Sequence, residues 1–209
     1  MKILIADDHA MMRSGLKLLL GEAFKDAEFG EASTSQQTLE AALSQSWDLI
    51  LLDISMPGRG GLDVLKEYRV QHPKTPVLIL SMYAEPQFAE RAFRAGATGY
   101  ITKASAGNEL LLAVERVLTG RRYVSSALAE YLVSVLGSNT AGPLHGRLSS
   151  REFEILRFIA SGKAVKEMAS ELSLSGSTIS TYRTRILEKM QMRNNAELTH
   201  YALSHHLVE

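Results

Sequence analysis

The chain has 209 residues, enough for one large or two small domains, and its apolar content of 45% is ordinary for a globular protein. It contains no cysteine, which excludes disulfides, thiolate catalysis and cysteine-based zinc sites and fits a reducing compartment. Residues 1–120 carry 12 Lys/Arg and 15 Asp/Glu, whereas residues 121–209 carry 11 and 8. An acidic first part and a basic second part predict two domains with different partners.

The sequence offers no segment suited to export or to a membrane. The apolar N-terminal run is interrupted by Asp7 and Asp8, which makes it too short for a signal peptide. No later apolar run approaches the roughly 20 residues that a spanning helix needs. We therefore expect a cytoplasmic protein with no membrane partner.

Residues 1–120 alternate between strand-like and helix-like segments. Apolar segments predict five strands, at residues 3–6, 28–32, 49–52, 77–80 and 99–102. Segments with helical periodicity follow each of them, at residues 12–20, 38–43, 62–69, 88–94 and 109–118. Five such pairs predict an α/β fold with a doubly wound parallel sheet.

Polar residues follow four of the predicted strands. Asp7 and Asp8 follow the first strand, Asp53 the third, Ser81 the fourth and Lys103 the fifth. In a doubly wound sheet the ligand crevice lies beyond the carboxyl ends of the strands, so these side chains should converge there. Any one of them alone has an ordinary structural explanation, such as a helix cap or a surface ion pair.

The predicted cluster has the chemistry of phosphoryl transfer. Crowded carboxylates repel one another, and Mg²⁺ relieves this while preferring oxygen ligands. Asp8, Asp53 and the backbone carbonyl of Ser55 are the predicted ligands, with Asp7 acting through water. Asp53 would attack as the nucleophile and form an aspartyl phosphate, while the ammonium of Lys103 stabilises the transferring group. The hydroxyl of Ser81 would bond a phosphoryl oxygen.

The segments ILIADDH, LLDISMPGRGGLD, LILS and GYITK resemble the receiver domain of bacterial two-component response regulators. The resemblance implies a flavodoxin-like five-stranded sheet, Asp53 as phosphoacceptor, Asp7 and Asp8 as metal-binding acids, and Lys103 as phosphate-binding lysine. It further implies Ser81 and Tyr100 as switch residues. The implied phosphodonor is a sensor histidine kinase or acetyl phosphate, and the implied metal is Mg²⁺, with Mn²⁺ as a substitute.

Ala104 and His9 are neighbours of the predicted site. Ala104 departs from the family pattern, and His9 has a plain structural role. Many receivers carry proline after the lysine, in a cis peptide, but Ala104 stands there. Because a non-proline cis bond costs about 2.5–4 kcal/mol, we predict a trans Lys103–Ala104 bond. His9 is expected to begin the first helix and needs no catalytic role.

Residues 121–146 change in character. An amphipathic helix is predicted over residues 123–136, followed by a linker rich in Gly, Ser and Pro over residues 137–146. We take residues 1–120 as one domain, residues 121–146 as its connection and residues 147–209 as the second. The connection is either a passive tether or a hinge whose docking changes on phosphorylation.

Residues 147–209 predict a small all-α domain. Helices are expected to begin after a cap at Ser149 or Ser150, at Val165, near Ser177 and near Ala196. A short helix, a turn and a basic helix is the geometry that places one helix in the DNA major groove. Val165 at the expected cap position and Gly176 before the basic helix each predict a cost of about 1 kcal/mol unless compensated.

The segments LSSREFEILRFIASG, KEMASELSLS, STISTYRTRILEKM and RNNAELTHYAL resemble the LuxR-type helix-turn-helix, which implies a NarL/FixJ-class transcription regulator. The run STYRTRIL is similar to the GacA/UvrY subgroup. The resemblance implies double-stranded promoter DNA as a partner, a homodimer when the protein is phosphorylated or on DNA, and RNA polymerase as a candidate partner. The implied base-facing residues are Ser180, Thr181 and Thr184. The candidate phosphate contacts are Lys166, Thr178, Arg183, Arg185 and Lys189.

Three other functions remain open at this point. A DNA-binding protein with a vestigial receiver would work without phosphorylation, but it would tolerate loss of Asp7, Asp8 or Lys103, all of which are present. A metal-dependent aspartyl-phosphate phosphohydrolase would need an acid two residues after Asp53, where Ser55 stands. A pure interaction module would not need the basic helix-turn-helix. We therefore expect no enzymatic activity beyond self-phosphorylation and self-dephosphorylation.

Overall fold

The computed structural model describes residues 1–56, 60–83, 86–125, 128–129, 143–205 and 207–208, with the side chain of Pro86 left out. The chain divides into two compact units, Met1–Asn139 and Thr140–Glu209. The boundary between the units falls inside the segment 121–146. The predicted helix over residues 123–136 lies mostly outside the described residues.

The first unit contains a five-stranded parallel sheet. Its strands are β1 (Lys2–Ala6), β2 (Glu28–Ala32), β3 (Leu49–Asp53), β4 (Val77–Ser81) and β5 (Gly99–Thr102). The strand order is β2-β1-β3-β4-β5, and every pair is parallel. The order reverses direction between β1 and β3, and this is the position where a doubly wound sheet opens its ligand crevice. The predicted α/β fold is confirmed.

Five helices connect and cover the sheet. They are α1 (Ala10–Ala23), α2 (Ser35–Ser44), α3 (Gly61–Gln71), α4 (Pro86–Arg94) and α5 (Ala106–Leu118). Along the strands, alternate residues point to opposite faces. Ile3, Ile5 and Leu51 pack with α1 and α5 on one face, whereas Ile50 and Leu52 lie against α2 and α3 on the other.

Two helices begin three residues before their predicted segments, and one of them does so on a polar cap. Helix α2 begins at Ser35 since the Thr34 side chain accepts a hydrogen bond from the N–H of Gln37 and caps the helix. Helix α5 begins at Ala106, three residues before the apolar periodicity does. Apolar spacing therefore located the buried turns of these helices and missed their first turns.

The second unit consists of helices only. After a 3-10 helix at Leu144–Arg147, it contains α6 (Ser150–Ala160), α7 (Val165–Glu171), α8 (Gly176–Met190) and α9 (Asn195–Ser204). Ser149 caps α6 in a capping box, in which its side chain accepts from the N–H of Glu152 and the Glu152 carboxylate accepts from the N–H of Ser149. Helix α6 contacts both α8 and α9, which places it at the centre of the unit.

The turn between α7 and α8 corrects two sequence predictions. Val165 is the first residue of α7, and the cap position belongs to Ala164, whose N–H donates to the Glu167 carboxylate at 2.7 Å. Ser175 caps α8 by accepting from the N–H of Thr178, so Gly176 lies inside the helix. The left-handed residue of the turn is Ser173, with φ +52°. Helix α8 therefore has a side-chain cap, whereas α7 has no side-chain cap and gains only the bond from the Ala164 N–H to Glu167.

None of the described helices combines the length and apolar character that crossing a bilayer requires.

Candidate functional site

Asp7, Asp53 and Lys103 meet at the carboxyl end of the sheet. Asp7 follows β1, Asp53 ends β3 and Lys103 follows β5. Lys103 Nζ lies 2.8 Å from Asp53 Oδ2 and 2.7 Å from Asp7 Oδ2, and both carboxylates are fully buried. The structure therefore brings together the acids and the ammonium that sequence reasoning placed at separate strand ends.

Asp53 and Lys103 shift each other's pKa. Burial raises the pKa of Asp53 above its ordinary value, and the nearby Asp7 adds to this, while Lys103 opposes it. Burial alone would lower the pKa of Lys103, but its pairing with Asp53 and Asp7 raises it overall. At neutral pH the lysine is therefore a fixed cation beside a carboxylate that is costly to keep charged.

The carboxylate cluster fits a divalent cation. Asp7, Asp8, His9 and Asp53 each offer a ligand atom, and these atoms all lie within 4.8 Å of one another. Asp7 Oδ2 and Asp8 Oδ1 are buried, and each has one cationic or imidazole neighbour at 2.7 Å, Lys103 Nζ and His9 Nδ1 respectively. Oxygen-rich donor sets of this kind suit Mg²⁺ and Mn²⁺. Asp53 Oδ1 accepts from the N–H of Ser55 at 3.0 Å, which orients the Ser55 backbone next to the acceptor.

Sequence reasoning missed two side chains that hold the acidic pair. The guanidinium of Arg13 donates to the Asp7 carbonyl at 2.7 Å and to Glu31 at 3.0 Å. His9 is the N-cap residue of α1, as predicted, but its Nδ1 also lies 2.7 Å from Asp8 Oδ1 and 3.2 Å from Asp7 Oδ1. The proximity of His9 to the two acids in sequence was the signal that could have revealed this contact.

The predicted switch residues Ser81 and Tyr100 share one partner, the backbone of Tyr83. Ser81 is buried, and its Oγ accepts from the Tyr83 N–H at 3.0 Å. Tyr100 is 2% exposed, and its hydroxyl donates to the Tyr83 carbonyl at 2.6 Å. The ring of Tyr83 stacks on Phe88 at a centroid distance of 4.3 Å. The segment after β4 therefore links both side chains.

The start of α3 approaches the acceptor strand closely. The Gly61 N–H donates to the Ile54 carbonyl, and a Cβ built on Gly61 would lie 2.1 Å from the Asp53 carbonyl oxygen. Only glycine permits this contact without backbone movement. The Lys103–Ala104 peptide is trans, as predicted, since no described peptide bond is cis.

In the second unit, the predicted base-facing residues lie together on the exposed face of α8. Ser180, Thr181 and Thr184 are all exposed, and each hydroxyl donates to the carbonyl four residues earlier, at 3.0, 3.0 and 3.2 Å. Ile179 and Ile186 are buried on the opposite side. The hydroxyl lone pairs remain open, so in this rotamer these side chains present acceptors to a partner.

The predicted phosphate contacts fall into three groups. Arg183 donates to Asn195 at 2.6 Å, and Lys189 pairs with Glu152 at 2.7 Å, so both are held within the unit. Lys166 and Arg185 are exposed and make no ion pair within the described part of the chain. Thr178 belongs to the capping hydroxyl cluster around Ser175. Helix α8 thus exposes hydroxyl groups together with Arg185, and α7 exposes Lys166.

A family model for the response regulator receiver domain matches residues 3–115, more than half of the chain. The chain belongs to the response regulators. A second family model, for bacterial regulatory proteins of the luxR family, matches residues 146–202. This response regulator is therefore of the NarL/FixJ class, with a receiver and a LuxR-type DNA-binding domain.

Relatives match the whole chain. The response regulator UvrY of Escherichia coli K12 is 31% identical over 207 residues, covering 98% of this chain and 94% of UvrY. The oxygen regulatory protein NreC of Staphylococcus aureus is 35% identical over 217 residues and all of both chains. UvrY belongs to the subgroup that the residues of α8 suggested.

A solved structure of RcsB from Salmonella enterica serovar Typhimurium is similar over 96% of this chain and 97% of RcsB, with a TM-score of 0.60 and 25% identity. In that structure RcsB is bound to promoter P1flhDC in the presence of the phosphomimetic BeF₃⁻. A second RcsB structure, with the same TM-score and identity, contains two dimers on two parallel DNAs.

Proposed function

We propose that this response regulator is phosphorylated on Asp53 by a sensor histidine kinase, or by acetyl phosphate, and that the phosphate switches its binding to promoter DNA. The observation that carries the proposal is the position of Lys103 Nζ, between Asp53 Oδ2 and Asp7 Oδ2 in a buried pocket. Burying two carboxylates around one ammonium costs more desolvation free energy than their pairing returns. Such a cluster is therefore better explained by a functional site than by a stabilising ion pair.

The chemistry is an in-line phosphoryl transfer. An Asp53 oxygen attacks phosphorus, a P–O bond forms, and the bond between phosphorus and the donor breaks, with the electron pair leaving on the donor. Lys103 stabilises the charge on the transferring group, and the Ser81 hydroxyl, at the end of the neighbouring strand, would turn to bond a phosphoryl oxygen. Asp7, Asp8, Asp53 and the Ser55 carbonyl would hold Mg²⁺, or Mn²⁺ in its place, which supplies further charge neutralisation.

The proposed output is sequence-specific binding of double-stranded DNA by a homodimer. Base contacts come from Ser180, Thr181 and Thr184, and phosphate contacts from Lys166, Thr178, Arg183, Arg185 and Lys189. The RcsB structures on DNA support this output, and two-fold symmetric half-sites favour a dimer. RNA polymerase is a further proposed partner, and the cytoplasm is the proposed location.

The domain limits remain our proposal as well. Residues 1–120 form the receiver, residues 147–209 the DNA-binding domain and residues 121–146 the connection. The receiver catalyses only the transfer of phosphate to itself and its loss. A phosphohydrolase is disfavoured because Ser55, two residues after Asp53, supplies no carboxylate to activate water.

Phosphorylation is tested by incubating the full chain with acetyl phosphate and Mg²⁺ and measuring intact mass. We expect one added phosphoryl group on the wild type and none on Asp53→Asn. Asp63→Asn is the matched control, because Asp63 lies in the first turn of α3 and takes no part in the pocket. Full phosphorylation of Asp53→Asn would overturn the assignment.

A further inference from the structure

His9 is the one imidazole that the described structure places against the receiver's carboxylates. Its Nδ1 lies 2.7 Å from Asp8 Oδ1 and 3.2 Å from Asp7 Oδ1. The His9 N–H donates to Asp7 Oδ1 at 2.8 Å, so the backbone is fixed at the pocket rim. The side chain is 66% exposed, which leaves the ring free to turn either nitrogen towards the cluster.

The spacing of these atoms suits a single shared cation. Ligand atoms of Asp7, Asp8, His9 and Asp53 lie within 4.8 Å of one another. Oxygen or nitrogen ligands about 2.1 Å from an ion lie up to roughly 4.2 Å apart across it, so a small inward adjustment brings all four into reach. Asp7 Oδ2 lies 2.7 Å from Lys103 Nζ and Asp8 Oδ1 lies 2.7 Å from His9 Nδ1, and each carboxylate oxygen has a second lone pair that an ion can use.

The ligand set matters because metals differ in their preference for nitrogen. Mg²⁺ is a hard cation that takes oxygen ligands and water. Imidazole nitrogen suits the first-row transition dications, whose affinity for such sites rises from Mn²⁺ towards Ni²⁺ and Cu²⁺. A carboxylate cluster that gains one imidazole therefore gains affinity for these ions and little for Mg²⁺.

We propose that His9 is a ligand of the divalent cation in the receiver pocket and that it raises the affinity for first-row transition dications relative to Mg²⁺. The inference rests on the proposed phosphoacceptor function, since it assigns a further residue to the same metal site. His9 would thereby determine which metal the receiver carries when transition metals and Mg²⁺ compete.

The test is calorimetric titration of the full-length wild type and His9→Asn with Ni²⁺ and, separately, with Mg²⁺. Asparagine is a good N-cap residue, so the replacement removes the imidazole while keeping the start of α1. Exposed histidines such as His200 offer further imidazole ligands to Ni²⁺. The pocket signal is therefore defined as the Ni²⁺ binding that saturating Mg²⁺ displaces and that Asp8→Asn removes. His200→Asn is the matched control.

We expect His9→Asn to weaken the Mg²⁺-displaceable Ni²⁺ binding by about tenfold or more, with Mg²⁺ affinity unchanged within roughly twofold. His200→Asn should leave both affinities in the pocket unchanged. The inference is overturned if His9→Asn preserves the ratio of the Ni²⁺ affinity to the Mg²⁺ affinity, which includes an equal loss of both. It is also overturned if the wild type shows no Mg²⁺-displaceable Ni²⁺ binding. Phosphorylation of the wild type by acetyl phosphate and Mg²⁺ separates this failure from failure of the proposed function.

Discussion

The Tyr100 hydroxyl donates to the carbonyl oxygen of Tyr83 at 2.6 Å. The N–H of Tyr83 donates to Ser81 Oγ at 3.0 Å. If Ser81 turns towards a phosphoryl group on Asp53, it gives up its hydrogen bond to the Tyr83 N–H. The Tyr83 backbone, which also binds the Tyr100 hydroxyl, can then move. The connection between the proposed site and the proposed aromatic switch is thus two hydrogen bonds to one peptide backbone.

Tyr100→Phe removes one of these bonds and leaves the part-buried Tyr83 carbonyl without its phenolic donor. We expect the free energy of unfolding of the receiver to fall by about 1 kcal/mol. The dependence of DNA affinity on phosphorylation should shrink as well, because the position of the ring is no longer tied to Tyr83. Tyr123→Phe is the control, since that hydroxyl bonds to Glu109, away from Ser81. Equal loss of phosphorylation dependence in both variants would contradict the account.

Gly61→Ala tests whether the close approach of α3 to the Asp53 backbone is needed for phosphorylation of Asp53. The added Cβ would lie 2.1 Å from the Asp53 carbonyl oxygen. Because this oxygen belongs to the backbone, it cannot move aside as the end of a flexible side chain could. We expect a loss of about 1–3 kcal/mol of stability and slower phosphorylation by acetyl phosphate. Gly15→Ala is the control: it lies exposed in α1 with no atom near the new Cβ, and it should stabilise the protein by about 0.5–1 kcal/mol. Unchanged phosphorylation of Gly61→Ala would refute the proposed support.

The receiver fold could be predicted from the sequence because its buried strands are continuous apolar runs that end in polar residues. Leu49–Asp53 shows this most clearly, since all five residues are buried. The contacts of Lys103 with Asp7 and Asp53 followed from sheet topology, because parallel strands bring their carboxyl ends to one edge. These predictions needed only the apolar pattern of the sequence and the parallel direction of the strands.

Contacts made by backbone atoms could not be predicted in this way. The bond from Arg13 to the Asp7 carbonyl and both bonds to Tyr83 depend on loop conformations that no spacing rule specifies. The cap of α8 shows the same limit, because Ser175, Ser177 and Thr178 all suit a helix start and only the coordinates select Ser175. The pairing of Lys189 with Glu152 joins two residues that are 37 positions apart in sequence, on different helices.

Glu152→Gln tests the stability of the second unit as a function of pH. Burial alone would raise the pKa of Glu152, but hydrogen bonds from Lys189 and the Ser149 N–H hold it below the ordinary 4.5. A lowered carboxyl pKa contributes stability that is fully present above pH 4.5 and is lost as the pH falls through the folded-state value. We expect the variant to lose about 1–3 kcal/mol at neutral pH, with the difference from wild type shrinking in acid.

Calorimetry of both proteins between neutral and acidic pH provides the measurement for Glu152→Gln. Glu188→Gln, on the exposed side of α8, is the control and should change stability little at any pH. A difference between wild type and Glu152→Gln that is independent of pH would rule out the ionised pair as the source of the stability.

Lys166→Ala tests the electrostatic part of DNA binding. Lys166 makes no ion pair within the described residues, so its charge is available to a phosphate. We expect weaker binding to all sequences and a decrease of about 1 in the slope of log affinity against log salt. Thr184→Val should instead change sequence preference with the slope unchanged, because Thr184 lies among the proposed base contacts. An unchanged slope for Lys166→Ala would remove Lys166 from the set of phosphate contacts.

The most direct test of the account is the binding of wild type and Asp53→Ala to a pool of genomic DNA fragments at fixed salt, with and without acetyl phosphate and Mg²⁺. We expect the donor to tighten binding of the wild type alone, and we expect the selected fragments to share a two-fold symmetric site. Equal binding by both proteins, with no effect of the donor, would contradict control by phosphate at Asp53.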